Sequence, residues 1–144
     1  MTVRYSDPKP EDYNLPNDYT FAANSWGDSF YKTYEPMTFI DAKNQCEADG
    51  AILAYPRSDV ENIFIANIIF EQFWIGINDI DREGKFVTID GFEVSYTNWY
   101  NNEPNNVGNE DGVVINFATA LGFWNDEKTY KEFRFVCHYR IEGK

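Results

Sequence analysis

Asn101-Asn-Glu-Pro-Asn-Asn-Val-Gly-Asn-Glu-Asp111 is the densest array of oxygen donors in the chain. It gathers carboxylates at Glu103, Glu110 and Asp111 with side-chain amides at Asn105 and Asn106. Two readings suit such a stretch. Asn, Asp and Glu collect in loops because they are soluble turn formers. Alternatively, a hard cation wants about 6–8 oxygens, and a loop with several anionic oxygens suits Ca²⁺ better than the more exacting Mg²⁺. Zinc is disfavoured because the stretch offers neither His nor Cys. Two further patches belong to the same question: Trp124-Asn-Asp126, which is expected to open a turn before the last strand, and Asn78-Asp-Ile-Asp-Arg-Glu83, which follows the strand predicted to end at Ile77. The alternation Asp79-x-Asp81-x-Glu83 is not an EF-hand loop, since the long frame and its glycine are missing.

Outward from this stretch the chain changes character. Phe73-Trp-Ile-Gly-Ile77, Val113-Val-Ile-Asn-Phe117 and Phe133-Arg-Phe-Val-Cys-His-Tyr139 are short apolar runs and predict strands. The first two are separated by a long segment rich in Gly, Asn, Asp and Glu, and a long polar loop within a compact domain points to function. Upstream lie two predicted helices. Thr38 opens a T-x-x-D start, Phe39, Ala42 and Cys46 share a face, and Gly50 stops the helix. Ser58-Asp-Val-Glu61 has the form of a capping box. Behind it Val60, Phe64 and Ile68, widened by Ile65 and Ile69, predict a largely buried helix. Helices first and strands later predict an α+β fold. Residues 1–20 carry Pro8, Pro10 and Pro16 without an apolar period, which predicts a tail or linker with a short edge strand near Tyr19. The folded domain is then expected over residues 21–144.

Composition bounds what the domain can do. Its 144 residues, 43% hydrophobic and 18% aromatic, suffice for one core and exclude global disorder. The apolar run Ile63–Phe70 is far shorter than the roughly 18–20 residues of a membrane span. No apolar core of a signal peptide is visible in Met1–Asp7. Twenty-four acidic residues against 12 basic give a net charge of −12. Such a surface repels phosphate backbones and anionic headgroups, which argues against nucleic acid and membrane insertion and leaves room for cations.

Cys46 and Cys137 stand on the first helix and in the last strand. Two buried thiols or one disulfide would both fit. The disulfide is favoured because no C-x-x-C is present and the single histidine, His138, points to the opposite face of its strand from Cys137. Closing a loop of about 90 residues would stabilise the fold by roughly 4–5 kcal/mol in the chain-entropy model and imply an oxidising compartment.

The order and spacing of these motifs resemble the C-type lectin-like domain. Trp74-Ile-Gly76 is similar to its WIG strand, Glu103-Pro-Asn105 to its EPN motif, and Trp124-Asn-Asp126 to its WND motif. Cys46 and Cys137 fall where the family's long-range disulfide lies. The likeness runs from about Trp26 to Tyr139. The loop from Glu103 to Asp111 is most similar to those of the family's mannose- and fucose-binding members. The resemblance implies the C-type lectin fold, two helices flanking small antiparallel sheets with a long calcium-binding loop region. It also implies two Ca²⁺ sites. The principal, sugar-binding site would use Glu103, Asn105, Glu110, Asn125 and Asp126. The auxiliary site would use Asp79, Glu83, Asn106, Glu110 and Asp111. In the family the Glu-Pro bond is cis. One departure stands out: the family's second disulfide would need cysteines at Gly112 and Thr129, and both are absent.

The function so implied is calcium-dependent glycan binding at the cell surface or outside the cell. Vicinal hydroxyls would be shared among the cation, the carboxylates of Glu103 and Glu110, and the amides of Asn105 and Asn125, with Val107 beside the sugar ring. EPN goes with mannose, glucose, N-acetylglucosamine and fucose, whereas the galactose-type QPD is absent. Single sites of this kind are shallow, so useful avidity is expected from multivalent display by an oligomer or a larger protein. Two other classes compete. A glycosidase pair of Glu103 and Glu110 would need one raised pKa, which a bound cation opposes, so no enzyme is expected. A lectin-like domain of a larger surface adhesin that binds protein or ice instead of sugar is the remaining alternative.

Overall fold

The computed structural model describes residues 6–105 and 110–141. Its spine is the last strand, β8 (Phe133–Arg140). On one side β8 pairs antiparallel with β2 (Ser29–Met37), and β2 with β1 (Thr20–Ala22). On the other side two strands share its length. β3 (Ile52–Leu53) lies against His138 and Cys137, and β4 (Phe73–Asn78) runs parallel to Arg134 and Phe135. Beyond β4 come β6 (Gly112–Ile115) and β7 (Trp124–Glu127), with β5 (Val87–Thr88) also on β4. The expected small antiparallel sheets are therefore one continuous mixed sheet of eight strands, joined through the parallel contact of β4 and β8.

Both sheet faces are covered, and the alternation along the strands assigns them. Trp74, Val114, Phe135 and Cys137 pack with Phe30, Phe39, Ala42 and Cys46, under helix α1 (Phe39–Ala48). Their immediate neighbours Phe73, Ile75, Val113, Ile115 and Val136 pack with Ile65, Ala66 and Trp124, under helix α2 (Asp59–Ala66). This period of two is what a sheet buried on both sides requires. Cys46 and Cys137 form the disulfide, spanning 91 residues. Gly76 has a backbone reason to be glycine, because a Cβ there would lie 2.3 Å from the Leu53 carbonyl oxygen. Its N–H donates to Ala54 O at 2.8 Å, so β4 and the chain after β3 sit too close for any side chain.

The helix starts form as expected, with a variation. The Thr38 hydroxyl accepts from Asp41 N–H and the Ser58 hydroxyl from Glu61 N–H. Glu61, however, reaches back one residue further, to the Arg57 N–H at 2.7 Å, and pairs with the Arg57 and Arg140 guanidinium groups. The buried face of α2 is also rotated from the expected stripe. Glu61, Asn62, Ile65 and Ala66 face inward, whereas Val60 is 61% exposed. Asn62 decides this. Its side chain accepts from Trp124 Nε1 at 2.8 Å and donates to Gly122 O at 2.9 Å, so a polar anchor takes a place the apolar pattern gave to Val60.

The stretch expected as a tail folds onto the domain over its second half. Pro10–Tyr13 forms a 3-10 turn, and Leu15 and Tyr19 are core residues at 5% and 4% exposure. The Tyr19 hydroxyl donates to Asp49 at 2.8 Å. Three prolines masked this segment, whose few apolar side chains carry no period yet find a pocket beside Phe30. The expected boundary at residue 21 cuts through that packing.

Candidate calcium and glycan site

The site lies where three polar segments meet at one end of β4, β6 and β7. Trp124 is the anchor for one of them. Its N–H donates to Asn98 O and its carbonyl accepts from Tyr100 N–H, at 2.9 and 2.8 Å, so residues 98–100 run alongside β7. The Trp99 and Phe86 rings, and the Trp99 and Trp124 rings, meet edge to face and fix this return. Glu103 then follows a turn closed by its N–H on Tyr100 O, and the Glu103–Pro104 bond is cis.

These constraints bring Glu103, Asn105 and Asp126 together. The Asn105 backbone N–H donates to both Glu103 Oε1 and Asp126 Oδ1, each at 3.1 Å, and its side-chain amide donates to Glu103 Oε2 at 3.1 Å. Asn125 and Asp126 were expected in a turn. They lie instead in β7, buried at 4% and 1% exposure, because Val114 and Val113 of β6 pair with them. Glu110 leads into β6 and brings its carboxylate near Asp126 and Glu127. The second group forms at the end of β4, where Asp79 N–H donates to Asp111 O at 3.1 Å. Carboxylate oxygens of Asp79, Glu83 and Asp111 all lie within 4.8 Å of one another. Asn106 and Val107 fall outside the described residues.

So many carboxylates in one half-buried place raise one another's pKa. Glu103 is pushed up to about 7, first by burial and then by the hydrogen bond and charge of Asp126. Glu110 rises through burial and the charges of Asp126 and Glu127, and Asp111 through burial and Asp79. Asp79 rises as well, mainly through burial, although the Gly84 N–H at 2.8 Å opposes this. A cluster strained in this way calls for a cation.

The chemistry of the donor set meets that call. Among the described residues, the buried side-chain oxygens without a hydrogen-bond partner are Gln72 Oε1, Asp79 Oδ1, Glu110 Oε1, Asp111 Oδ1 and Asn125 Oδ1. All but Gln72 are expected ligands. Buried acceptors are normally satisfied; the orphans on Asp79 and Asp111 lie in one carboxylate cluster, and a donor set of oxygens fits a hard divalent ion.

The missing second cross-link has a structural counterpart. A Cβ on Gly112 would lie 2.7 Å from Trp74 Cζ3, so the tryptophan ring holds the space. At the other position the Thr129 carbonyl accepts from Phe39 N–H at 3.0 Å, which ties the turn after β7 to α1. Glu127, which the motif reading passed over, is buried and accepts from Asn125 Nδ2 at 3.2 Å and from Lys131 Nζ at 2.9 Å. The i, i+2 spacing of Asn125 and Glu127 on a strand was the signal that could have found it.

A disulfide-closed mixed sheet carrying an all-oxygen crater on its β4–β6–β7 end defines a binding module of the lectin type. The lectin C-type domain model matches residues 35–139, and the chain belongs to that family. It is 36% identical over 120 residues to Lectin BRA-3 of Megabalanus rosa, covering 81% of this chain and 74% of that protein. Among solved structures it is similar to the mouse scavenger receptor C-type lectin carbohydrate-recognition domain, at 29% identity and a TM-score of 0.75, covering 86% of this chain and 96% of that one. The herring type II antifreeze protein shares the fold at 21% identity and a TM-score of 0.77, covering 89% and 100%. No helix among the described residues is long and apolar enough to cross a membrane.

Proposed function

We propose that this domain binds glycans through Ca²⁺, at a principal site formed by Glu103, Asn105, Glu110, Asn125 and Asp126. An auxiliary Ca²⁺ held by Asp79, Glu83, Asn106, Glu110 and Asp111 would brace the loop. The observation that carries this reading is the set of four buried, unpartnered oxygens on Asp79, Glu110, Asp111 and Asn125. Calcium, when bound, offers open coordination positions to neighbouring sugar hydroxyls. The protein's own groups do the rest. Glu103 and Glu110 carboxylates accept hydroxyl protons, and Asn105 and Asn125 amides donate to hydroxyl oxygens. This Glu/Asn order supports mannose-, glucose- or fucose-type diols over galactose, with Val107 beside the ring. The disulfide suits an oxidising, extracellular setting, where several copies would add avidity.

The test is a glycan array with and without a chelator, for the parent and Asp126→Asn. Chelation and Asp126→Asn should each abolish binding to mannose- and fucose-type glycans. Binding that survives both would place recognition elsewhere and favour the protein- or ice-binding alternative that the antifreeze fold keeps open.

A further inference from the structure

We propose that Glu127 is a positioning residue of the principal site, clamped by Lys131, whose carboxylate turns the Asn125 amide so that its oxygen faces the cation. The inference rests on the calcium-site reading above and adds a residue outside the ligand set. A free asparagine amide can rotate its oxygen and nitrogen into either place, and only one rotamer offers an oxygen to a metal. Here the choice is made by chemistry. Glu127 Oε2 can only accept, so the Asn125 atom 3.2 Å away must be the NH₂ nitrogen. Asn125 Oδ1 is left buried and unpartnered on the other side. The two residues sit on one face of β7 and point the same way, which makes the contact a product of strand geometry.

Glu127 could not do this alone. It is buried, with 9% of its side chain exposed, and its own charge lies close to the acidic crater. Lys131 Nζ, 2.9 Å from Oε1, occupies the oxygen that Asn125 does not use. The ion pair is on the i, i+4 pattern and spans the turn between β7 and β8. It also holds that turn where the family's second cross-link is missing. Ligands are commonly oriented by such outer hydrogen bonds, and losing one typically weakens metal affinity about 10–100-fold.

The experiment compares Ca²⁺ affinity by calorimetry for the parent, Glu127→Leu, Glu127→Ala and Glu127→Gln, with folding followed by circular dichroism. Leu and Ala remove the acceptor, so Kd should rise about tenfold or more. Gln keeps an acceptor oxygen for Asn125 but loses the charge, and should stay within about threefold of the parent. Equal weakening in Gln and Leu would mean that Glu127 acts only by its charge and would overturn the proposal, as would a parent-like Leu variant. One measurement needs neither calcium nor a folded variant. In the metal-free parent, the two Asn125 side-chain NH₂ protons should be displaced from their shifts in free asparagine and exchange slowly with solvent. Fast-exchanging protons at the free-asparagine shifts would overturn the proposal. A parent that shows this pinned amide yet binds no Ca²⁺ would refute the calcium reading, and with it the site that Glu127 is proposed to serve.

Discussion

Acid should weaken this fold through one side chain that plays no part in the site. His138 is the only histidine, and it lies in β8 with its ring stacked on Tyr31 at 4.7 Å. Its Nε2 meets the buried Ser29 hydroxyl at 2.9 Å. Burial, and secondarily the Arg57 charge, push its pKa down from 6.5 to about 4. A lowered folded-state pKa means that the unfolded chain binds the proton more readily. The stabilisation is present above about pH 6.5 and is lost as pH falls through that window towards 4. A difference of this size corresponds to roughly 3 kcal/mol, most of it gone by about pH 4.5. The assay is urea unfolding at several pH values with chelator present, on the parent and His138→Gln. The carboxylates titrate alike in both proteins, so the difference isolates the imidazole. The parent should lose roughly 2–3 kcal/mol more than the variant between pH 7 and 4.5. The imidazole proton signals offer a direct check, since no other histidine overlaps them. A titration midpoint near 6.5, or parallel pH profiles for the two proteins, would refute the reasoning.

Four further outcomes are expected. Calcium should raise the melting temperature, since two ions would bring the net charge from −12 to −8 and ligation adds about 2.7 kcal/mol at a hundredfold excess over Kd; differential scanning calorimetry with and without chelator reads this. Calcium affinity should fall as pH drops below about 7, because the raised Glu103 proton must leave on binding, and calorimetry in buffers of different ionisation enthalpy should detect its release. Glu103 therefore opposes His138 in the metal-free protein, contributing stability in acid that is lost as pH rises through about 7. Gly76→Ala should destabilise by about 3–5 kcal/mol through overpacking and two strained ladder bonds, lowering the melting temperature by about 10 °C. Glu103→Gln with Asn105→Asp should weaken mannose-type binding and shift preference towards galactose, measured by competition with the two monosaccharides.

Much of this was legible in the chain because it is local. Thr38 and Ser58 cap their helices through bonds to residues three positions on, and the runs around Trp74, Val113 and Phe135 are apolar enough to show as strands. The Glu-Pro-Asn and Trp-Asn-Asp motifs marked Glu103, Asn105 and Asp126, which the fold brings together. What stayed hidden depends on partners distant in sequence. β2 contains Lys32, Thr33, Glu35 and Pro36 and has no strong period, yet it is the longest strand because β8 pairs with it. Its register shifts between Tyr34 and Met37, where Pro36 cannot donate to a ladder. The α2 face was misjudged because Asn62 is buried for the sake of Trp124 and Gly122. Asp126 looked like a turn residue because a buried aspartate in a strand makes sense only beside Glu103 and Asn105, which fold against it from a distant loop.

The single disulfide also decides where tension travels. If the domain is pulled by residues before Cys46 and after Cys137, the load passes across the bridge and bypasses the backbone between them. β2 and β8 share that load, while Asp79, Glu83, Glu103, Glu110, Asn125 and Asp126 all sit in the shielded loop. The loop closed by the cysteines, whose sequence separation is 91, would add about 300 Å of extended chain, but only after reduction. Force applied between the two flanking segments therefore leaves the loop that carries these residues mechanically unloaded.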